Sequence, residues 1–517
     1  MNLTRLIYRT AFRRRAAELE RYATDARLLQ EAQFDYLTRR AAGTAFGRQY
    51  GFDRMAAGNP SFLAKYAHFS TTVPLHTYDE LKPWIERMLG GERDVLWPGL
   101  CRWFAKSSGT TSDKSKFIPV TDDALHRTHY RGGTDVVVTY LGLNPESRMF
   151  SGKALILGGS HKPVAMAHGL HAGDLSACLI QNINPLVNLM RTPSKRIALM
   201  DEWEEKLRSL THATMNEDVT NLSGVPSWMM GVIRNVLEAK GAKDLTEVWP
   251  NLEVFFHGGI AFTPYREEYR RLIPSARMRY LETYNASEGF FAVQSAWDDP
   301  AMRLEVDNAV FYEFIPMSDF DSPAPRTVPL WEVKLDVNYA MVITTPGLWR
   351  YVIGDTVRFT STRPYKLVIT GRTKSFINAF GEELMVSNAD QALAIACRQM
   401  DCVIADYTAG PTFAHDGQKA HHTWIVEFER PPRDLAAFAS LLDETLQQLN
   451  SDYEAKRYKG IFLEQLHLRQ APRGLFHAWL KAKGKLGGQH QIPRLSNSTQ
   501  YLEELEQLAC LMTNEGD

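Results

Sequence analysis

Hydrophobic positions in the first forty residues recur at helical spacing, with Leu3, Leu6, Ile7 and Phe12 followed by Leu28, Leu29, Phe34 and Leu37. The pattern predicts two helices, ended near Gly43. From Val73 a short strand gives way to Tyr-Asp-Glu-Leu-Lys-Pro-Trp-Ile-Glu-Arg-Met, which predicts a helix capped near Thr77 with Asp79 and Glu80 in its first turn. Further on, strand-like runs at Ala154–Leu157, Val254–Phe256 and Met278–Glu282 alternate with helical ones at Glu202–Leu210 and Met229–Ala239. Such alternation predicts α/β layering. The β-rich stretch Val333–Thr370 ends at Gly371, and the rhythm changes. A helix at Asp390–Arg398, a strand at Thr423–Phe428, a helix at Asp434–Leu449 and a basic, loop-rich tail follow. We therefore expect a large layered α/β domain, residues 1–370, and a smaller mobile α+β domain, residues 371–517.

The length of 517 residues agrees with two domains. A formal net charge of −1 gives no field to gather nucleic acid or an anionic membrane, so a charged ligand must be held by local groups. No apolar run reaches the roughly eighteen residues of a membrane span. The five cysteines are scattered without a C-x-x-C pair, which suits a reducing, cytoplasmic compartment. Arg5, Arg9, Arg13, Arg14 and Arg15 precede the first acid, Glu18, and superficially resemble a transit peptide; the helical periodicity favours an amphipathic helix.

The richest candidate for chemistry is the loop Ser107-Ser108-Gly109-Thr110-Thr111-Ser112-Asp113-Lys114-Ser115-Lys116, set between the apolar run ending at Ala105 and the strand-like Phe117–Val120. Its backbone N–H groups and hydroxyls can cradle phosphate while a lysine neutralises charge. It does not fit G-x-x-x-x-G-K-[ST], which argues against a P-loop kinase or GTPase. Taken alone, such a loop also reads as a solvated turn. His257-Gly258-Gly259 leaves backbone bare for a flat ring. Tyr284-Asn285-Ala286-Ser287-Glu288 offers an aromatic for a purine and a carboxylate for Mg²⁺, or else a helix start capped by Ser287. In Trp349–Val357, Gly354-Asp355 presents a carboxylate suited to ribose hydroxyls, or an ordinary turn. Gly371-Arg372-Thr373-Lys374 reads as a hinge, and Gly487–Leu495 as a glycine-rich loop. His168 with His171, and His421 with His422, lack further ligands in a metal pattern. No G-x-S-x-G elbow occurs.

In this order the motifs resemble the adenylate-forming ligase superfamily. Val73–Met88, Glu92–Gly99, Ser107–Pro119, Val225–Trp228, Tyr284–Phe291 and Phe476–Leu495 together look like the auxin-responsive acyl acid amido synthetases, the Gretchen Hagen family, from about Thr44 onward. The resemblance implies ATP- and Mg²⁺-dependent activation of a carboxylic acid as an acyl-adenylate, then attack by an amino acid amine to give an amide. By the same resemblance Ser107, Ser108, Gly109, Thr110 and Thr111 form the phosphate loop. Gly258 and Gly259 form the adenine-side turn and Tyr284 the adenine contact. Ser287 and Glu288 serve phosphate and Mg²⁺, Asp355 serves ribose, and Arg372 and Lys374 form the hinge. Lys116 is a further candidate catalytic cation.

Two positions depart from the pattern. Gln491 stands where the family's Gly-Gln-x-Lys-x-Pro-Arg loop has lysine, so Lys481, Lys483 or Lys485 is a candidate replacement, and we take Lys485. Asp113 replaces a glycine of the phosphate loop. Thioester formation with coenzyme A and a nucleotide-binding pseudoenzyme, the latter suggested by Gln491, are the competing expectations. Pocket walls for the acid are expected from Val225–Trp228 and Arg127–Thr134.

Overall fold

The computed structural model describes residues 3–55, 60–107, 116–157, 164–200, 203–259, 262, 265–320, 322–373, 376–377, 379, 382, 384–413, 420–457, 463–483 and 492–514. The described residues form two compact units. One runs to Val368 without the segment carrying the helix Arg266–Leu272; the other takes that segment and everything from Ile369.

In the first unit, β1 (Trp103–Ser107) and β2 (Lys116–Val120) pair antiparallel with Ser107 opposite Lys116. After β3 (Lys153–Ile156), the short β4 (Val164–Ala165) and β5 (His171–Gly173) join them in a sheet of order β2-β1-β5-β4. The main sheet adds β6 (Arg191–Thr192), β7 (Val219–Gly224), β8 (Val254–Gly258), β9 (Arg279–Ala286), β10 (Gly289–Gln294) and β11 (Met302–Leu304). It is completed by β12 (Phe311–Pro316), β13 (Val328–Pro329), β14 (Asn338–Thr345), β15 (Leu348–Thr362) and β16 (Tyr365–Arg372). Its order is β13-β12-β14-β15-β16-β11-β10-β9-β8-β7-β3-β6. From β6 through β3, β7 and β8 to β9 all neighbours are parallel, so these strands end on one edge. That edge is where open α/β sheets bind ligands. The helix Pro226–Lys240 connects β7 to β8, with proline in its first turn and a left-handed stop at Gly241, φ 61°.

The helix expected after Thr77 spans Tyr78–Leu89, closed by a capping box in which the Thr77 N–H donates to Glu80 Oε2 at 2.6 Å. Its buried face is Leu81, Ile85 and Met88. The core beneath centres on Trp349, whose ring meets Phe46, Phe52, Phe69 and Trp97 and whose indole N–H donates to the Leu96 carbonyl at 3.0 Å.

The N-terminal expectation needs correction. Three consecutive helical segments occupy Leu3–Ile7, Tyr8–Phe12 and Arg13–Glu20, the middle one a π-helix, before Ala26–Ala41. Leu3, Leu6 and Leu28 face outward, whereas Phe34 and Leu37 are buried. Arg15, one of the five arginines of the basic N-terminal stretch, is buried between Asp135 (2.6 Å) and Asp307 (2.6 Å).

The second unit sets the strands Val403–Thr412, His421–Arg430 and His467–Ala471 in one sheet. Trp424 and Val426 pack against the helices Val386–Met400 and Leu435–Leu449, while Ile425, on the other face, meets Leu475, Phe476 and Leu505. Burial on both faces is why the central strand has nearly every position apolar or paired.

Candidate active site

Gly258 ends β8 opposite Thr283 of β9. A Cβ at Gly258 would lie 2.4 Å from the Thr283 carbonyl oxygen, so only glycine lets the two strands approach this closely. Gly259 follows at φ 84°, in the left-handed region that a side chain disfavours. Val225, just past β7, lies beside it: its Cγ2 would be 3.3 Å from a Cβ at Gly259.

β9 and β10 form a hairpin with Ala286 paired to Gly289. Ser287 and Glu288 are therefore the two residues of the turn, both half-buried, and not the first turn of a helix. Thr128, in the π-helical turn Ala124–His129, reaches the same tip: its Cγ2 lies 3.4 Å from where a Gly289 Cβ would stand.

β15 carries a bulge. Val352 pairs with Val342 and Thr356 with Ala340, so Ile353, Gly354 and Asp355 oppose the single residue Met341. Gly354 takes φ 89°, and the extra residues turn Asp355 out of the ladder. The Tyr284 hydroxyl donates to Asp355 Oδ2 at 2.6 Å. In a flat sheet four strand spacings, about 19 Å, would separate β9 from β15. The sheet therefore bends sharply somewhere across β16, β11 and β10, where β11 pairs with β16 only at Met302 and Arg303. Tyr284 is otherwise buried, its ring edge-on to Phe291 at 5.0 Å.

The phosphate-loop expectation is bracketed rather than described. Ser107 ends β1 and Lys116 begins β2, whereas Ser108, Gly109, Thr110, Thr111 and Asp113 lie outside the described residues, as do Lys374, Lys485 and Gln491. Lys116 Nζ sits 5.5 Å above the Tyr78 ring, and the Tyr78 hydroxyl accepts from the Phe117 N–H at 2.8 Å. Burial pushes the Tyr78 hydroxyl's pKa above its usual value.

His76 ties this hairpin to β15: its N–H donates to the Arg350 carbonyl and its carbonyl accepts from the Val352 N–H, both at 2.9 Å. Arg350 in turn clamps Glu313 with two bonds of 2.9 and 3.0 Å. His76, Tyr78 and Arg350 hold these elements together through the bonds above, and sequence reasoning did not single them out; the only signals were the segments Val73–Met88 and Trp349–Val357 as wholes.

Arg372 ends β16, half-buried, in the second unit. There the chain past Gln491 is anchored: Arg494 is half-buried, pairs with Asp406, stacks 4.6 Å over Tyr407, and its carbonyl accepts from the Ala409 N–H at 2.9 Å. Lys483 is bound to Glu504 at 3.1 Å and Lys481 is exposed. Arg127, Tyr130, Arg131 and Thr134 line an open polar cavity of about 570 Å³ shared with Arg15 and Asp307. Its arginines are engaged by acids, Arg131 with Asp307 at 2.7 Å and Arg127 with Asp123 at 3.4 Å.

The fold is shared with acyl-activating ligases: 2-hydroxyisobutyryl-CoA ligase in the postadenylation state superposes at TM-score 0.59 with 12% identity, covering 93% of this chain and 91% of that one. The chain belongs to the GH3 family. The family's N-terminal domain matches residues 15–278, its central domain 304–372 and its C-terminal domain 387–500. The chain is 23% identical to jasmonoyl–L-amino acid synthetase JAR4 of Nicotiana attenuata, over 93% of each chain. The AtGH3.15 acyl acid amido synthetase in complex with 2,4-DB superposes at TM-score 0.75 with 17% identity, covering 95% of each.

Proposed function

We propose that this protein activates a carboxylic acid with ATP and transfers the acyl group to the amine of an amino acid, forming an amide with release of AMP and pyrophosphate. The observation that carries the reading is the Tyr284–Asp355 hydrogen bond. It draws the ends of β8 and β9, with their bare glycines and the Ser287–Glu288 turn, together with the bulge of β15 inside one unit. These residues fit a nucleotide. Gly258 and Gly259 offer a side-chain-free surface to adenine, Asp355 is aimed at the ribose, and Ser287 and Glu288 lie on the phosphate side. Mg²⁺, when bound, neutralises phosphate charge, and Glu288 would hold it as a hard oxygen ligand.

The acid's carboxylate attacks the α-phosphorus of ATP, the bond to the bridging oxygen breaks, and pyrophosphate leaves. Two anions must meet, so cations are needed where charge accumulates, the part assigned to Lys116 and Lys485. The side-chain amide of Gln491 donates a hydrogen bond where a lysine would also carry charge. In the second step the amine nitrogen attacks the acyl carbon, loses a proton, and expels AMP. Residues 371–517 serve as a lid hinged near Arg372, keeping water from the adenylate. The scattered cysteines, without a C-x-x-C pair, suit a reducing cytoplasmic compartment.

Purified protein, incubated with ATP, a panel of carboxylic acids and pooled amino acids, should release pyrophosphate only when acid is present and yield products with the mass of amides. Acid-dependent release with coenzyme A yielding thioesters and no amides would assign the acceptor differently. No acid-dependent release across the panel would leave only nucleotide binding.

A further inference from the structure

We propose that Cys397 and Cys402 form a reversible intramolecular disulfide, a thiol-oxidation site in the second unit. The geometry is set by how the helix Val386–Met400 stops. Asp401 is left-handed at φ 48° and ψ 48°, and the N–H groups of Asp401 and Cys402 both donate to the Cys397 carbonyl, the latter at 3.1 Å. In this kind of helix stop the second residue past the end bonds back to the third from the end, and their side chains meet, usually as an apolar contact. Here the meeting side chains are two thiols. A disulfide spans α-carbons about 4.4–6.8 Å apart, and the backbone bond already draws this pair together without rearranging the helix.

The surroundings make the two sulfurs unequal. The Cys402 thiol is lowered from its usual value by its Cys397 neighbour first, against the opposing effect of burial, with the nearby Arg430 charge adding to the lowering. Cys397 is pushed up by Cys402 and by burial. Arg430 is fixed in place, its Nε donating to the Asp401 carbonyl and its Nη2 to the Asp401 carboxylate, each at 3.0 Å. Arg271 binds the same carboxylate at 2.7 Å. Cys402 is thus the nucleophile and Cys397 the resolving thiol. Cys402 is itself buried, 5% exposed, so a small oxidant reaches it by way of the half-buried Cys397 and the intervening Asp401, whose side chain is 75% exposed. Cys101 and Cys178 are buried as well, but burial pushes their thiols up to about 12, whereas that of Cys402 is lowered.

With a peroxide as oxidant, the Cys402 thiolate attacks one oxygen, the O–O bond breaks, and a sulfenic acid and water result after protonation. The Cys397 sulfur then attacks the sulfenic sulfur, the S–O bond breaks, and a second water departs with the Cys397 proton. Each peroxide is reduced by two electrons, and a dithiol reductant reverses the bond.

The test uses the full-length protein, reduced with dithiothreitol, desalted, exposed to hydrogen peroxide, alkylated and digested with trypsin. Cleavage after Arg398 separates the two cysteines. The expected result is a pair of peptides, one ending at Arg398 and one containing Cys402, joined until reduced, while Cys101 and Cys178 remain alkylated. The proposal is overturned if Cys397 and Cys402 are both recovered as free thiols, or if oxidised Cys402 is found linked to any other thiol. In a Cys397→Ser variant, Cys402 should accumulate as a sulfenic acid captured by dimedone; no capture would also overturn it.

Discussion

The Tyr284 hydroxyl donates to Asp355 at 2.6 Å. A hydrogen bond to a charged group contributes about 1.5–3 kcal/mol. Tyr284→Phe should therefore raise the KM for ATP roughly 10- to 150-fold in acid-dependent pyrophosphate release, with an unchanged far-UV spectrum. An unchanged KM would show that the bond does not orient Asp355 for substrate. A second residue with a defined response is Glu305, buried beside Arg303 (3.1 Å) and Tyr22 (3.0 Å), with Arg15 and Asp135 completing its surroundings. Burial pushes its carboxyl up from 4.5 to about 8. The folded chain then holds a proton that the unfolded chain has released, so Glu305 stabilises the fold below pH 4.5 and this contribution is lost as pH rises toward about 8. Glu305→Gln cannot titrate, so the melting temperature of the wild type minus that of the variant should shrink across this window. A constant difference would contradict the assignment. The acid was visible in the sequence; its burial was not. Its partner Arg15 reads as one of five arginines of an amphipathic helix until Asp135 and Asp307, distant in sequence, are brought to it.

Elements were more legible than their contacts. The helix Tyr78–Leu89 announced itself by Thr77 and Glu80, and the strands and helices around Val254, Thr423 and Leu435 by period and capping, because those signals are local. The bend that lets β9 meet β15 was not legible, since it depends on a three-residue strand, β11, and on pairings made far along the chain. The motifs nevertheless located the glycines on which those elements depend. Gly354→Ala places a Cβ at φ 89° in the bulge, which should cost about 1–2 kcal/mol and turn Asp355 away. A lowered melting temperature together with a raised KM for ATP is expected, and Gly258→Ala, with its 2.4 Å clash, should lose more activity. Wild-type kinetics in both variants would remove the bulge and the strand end from the site.

For the whole molecule, residues matching three domains of one family account for most of the chain, and the two units have separate cores. The order of motifs made the family legible, whereas the acid and the amine were not, because their specificity depends on the shape of a pocket assembled from several elements. The role proposed for Gln491, in a loop that by resemblance carries a lysine there, sets a quantitative expectation: Gln491→Lys should speed acid-dependent pyrophosphate release about tenfold or more, since a charge-assisted bond to phosphate is roughly twice as strong as a neutral one. A slower variant would mean that Lys485 or another cation already occupies that role. The most direct measurement of the central claim is the mass of the product formed from ATP, a responsive acid and an amino acid. The account predicts an amide whose formation matches pyrophosphate release one for one; nucleotide binding without acid-dependent pyrophosphate release or any amide would contradict it.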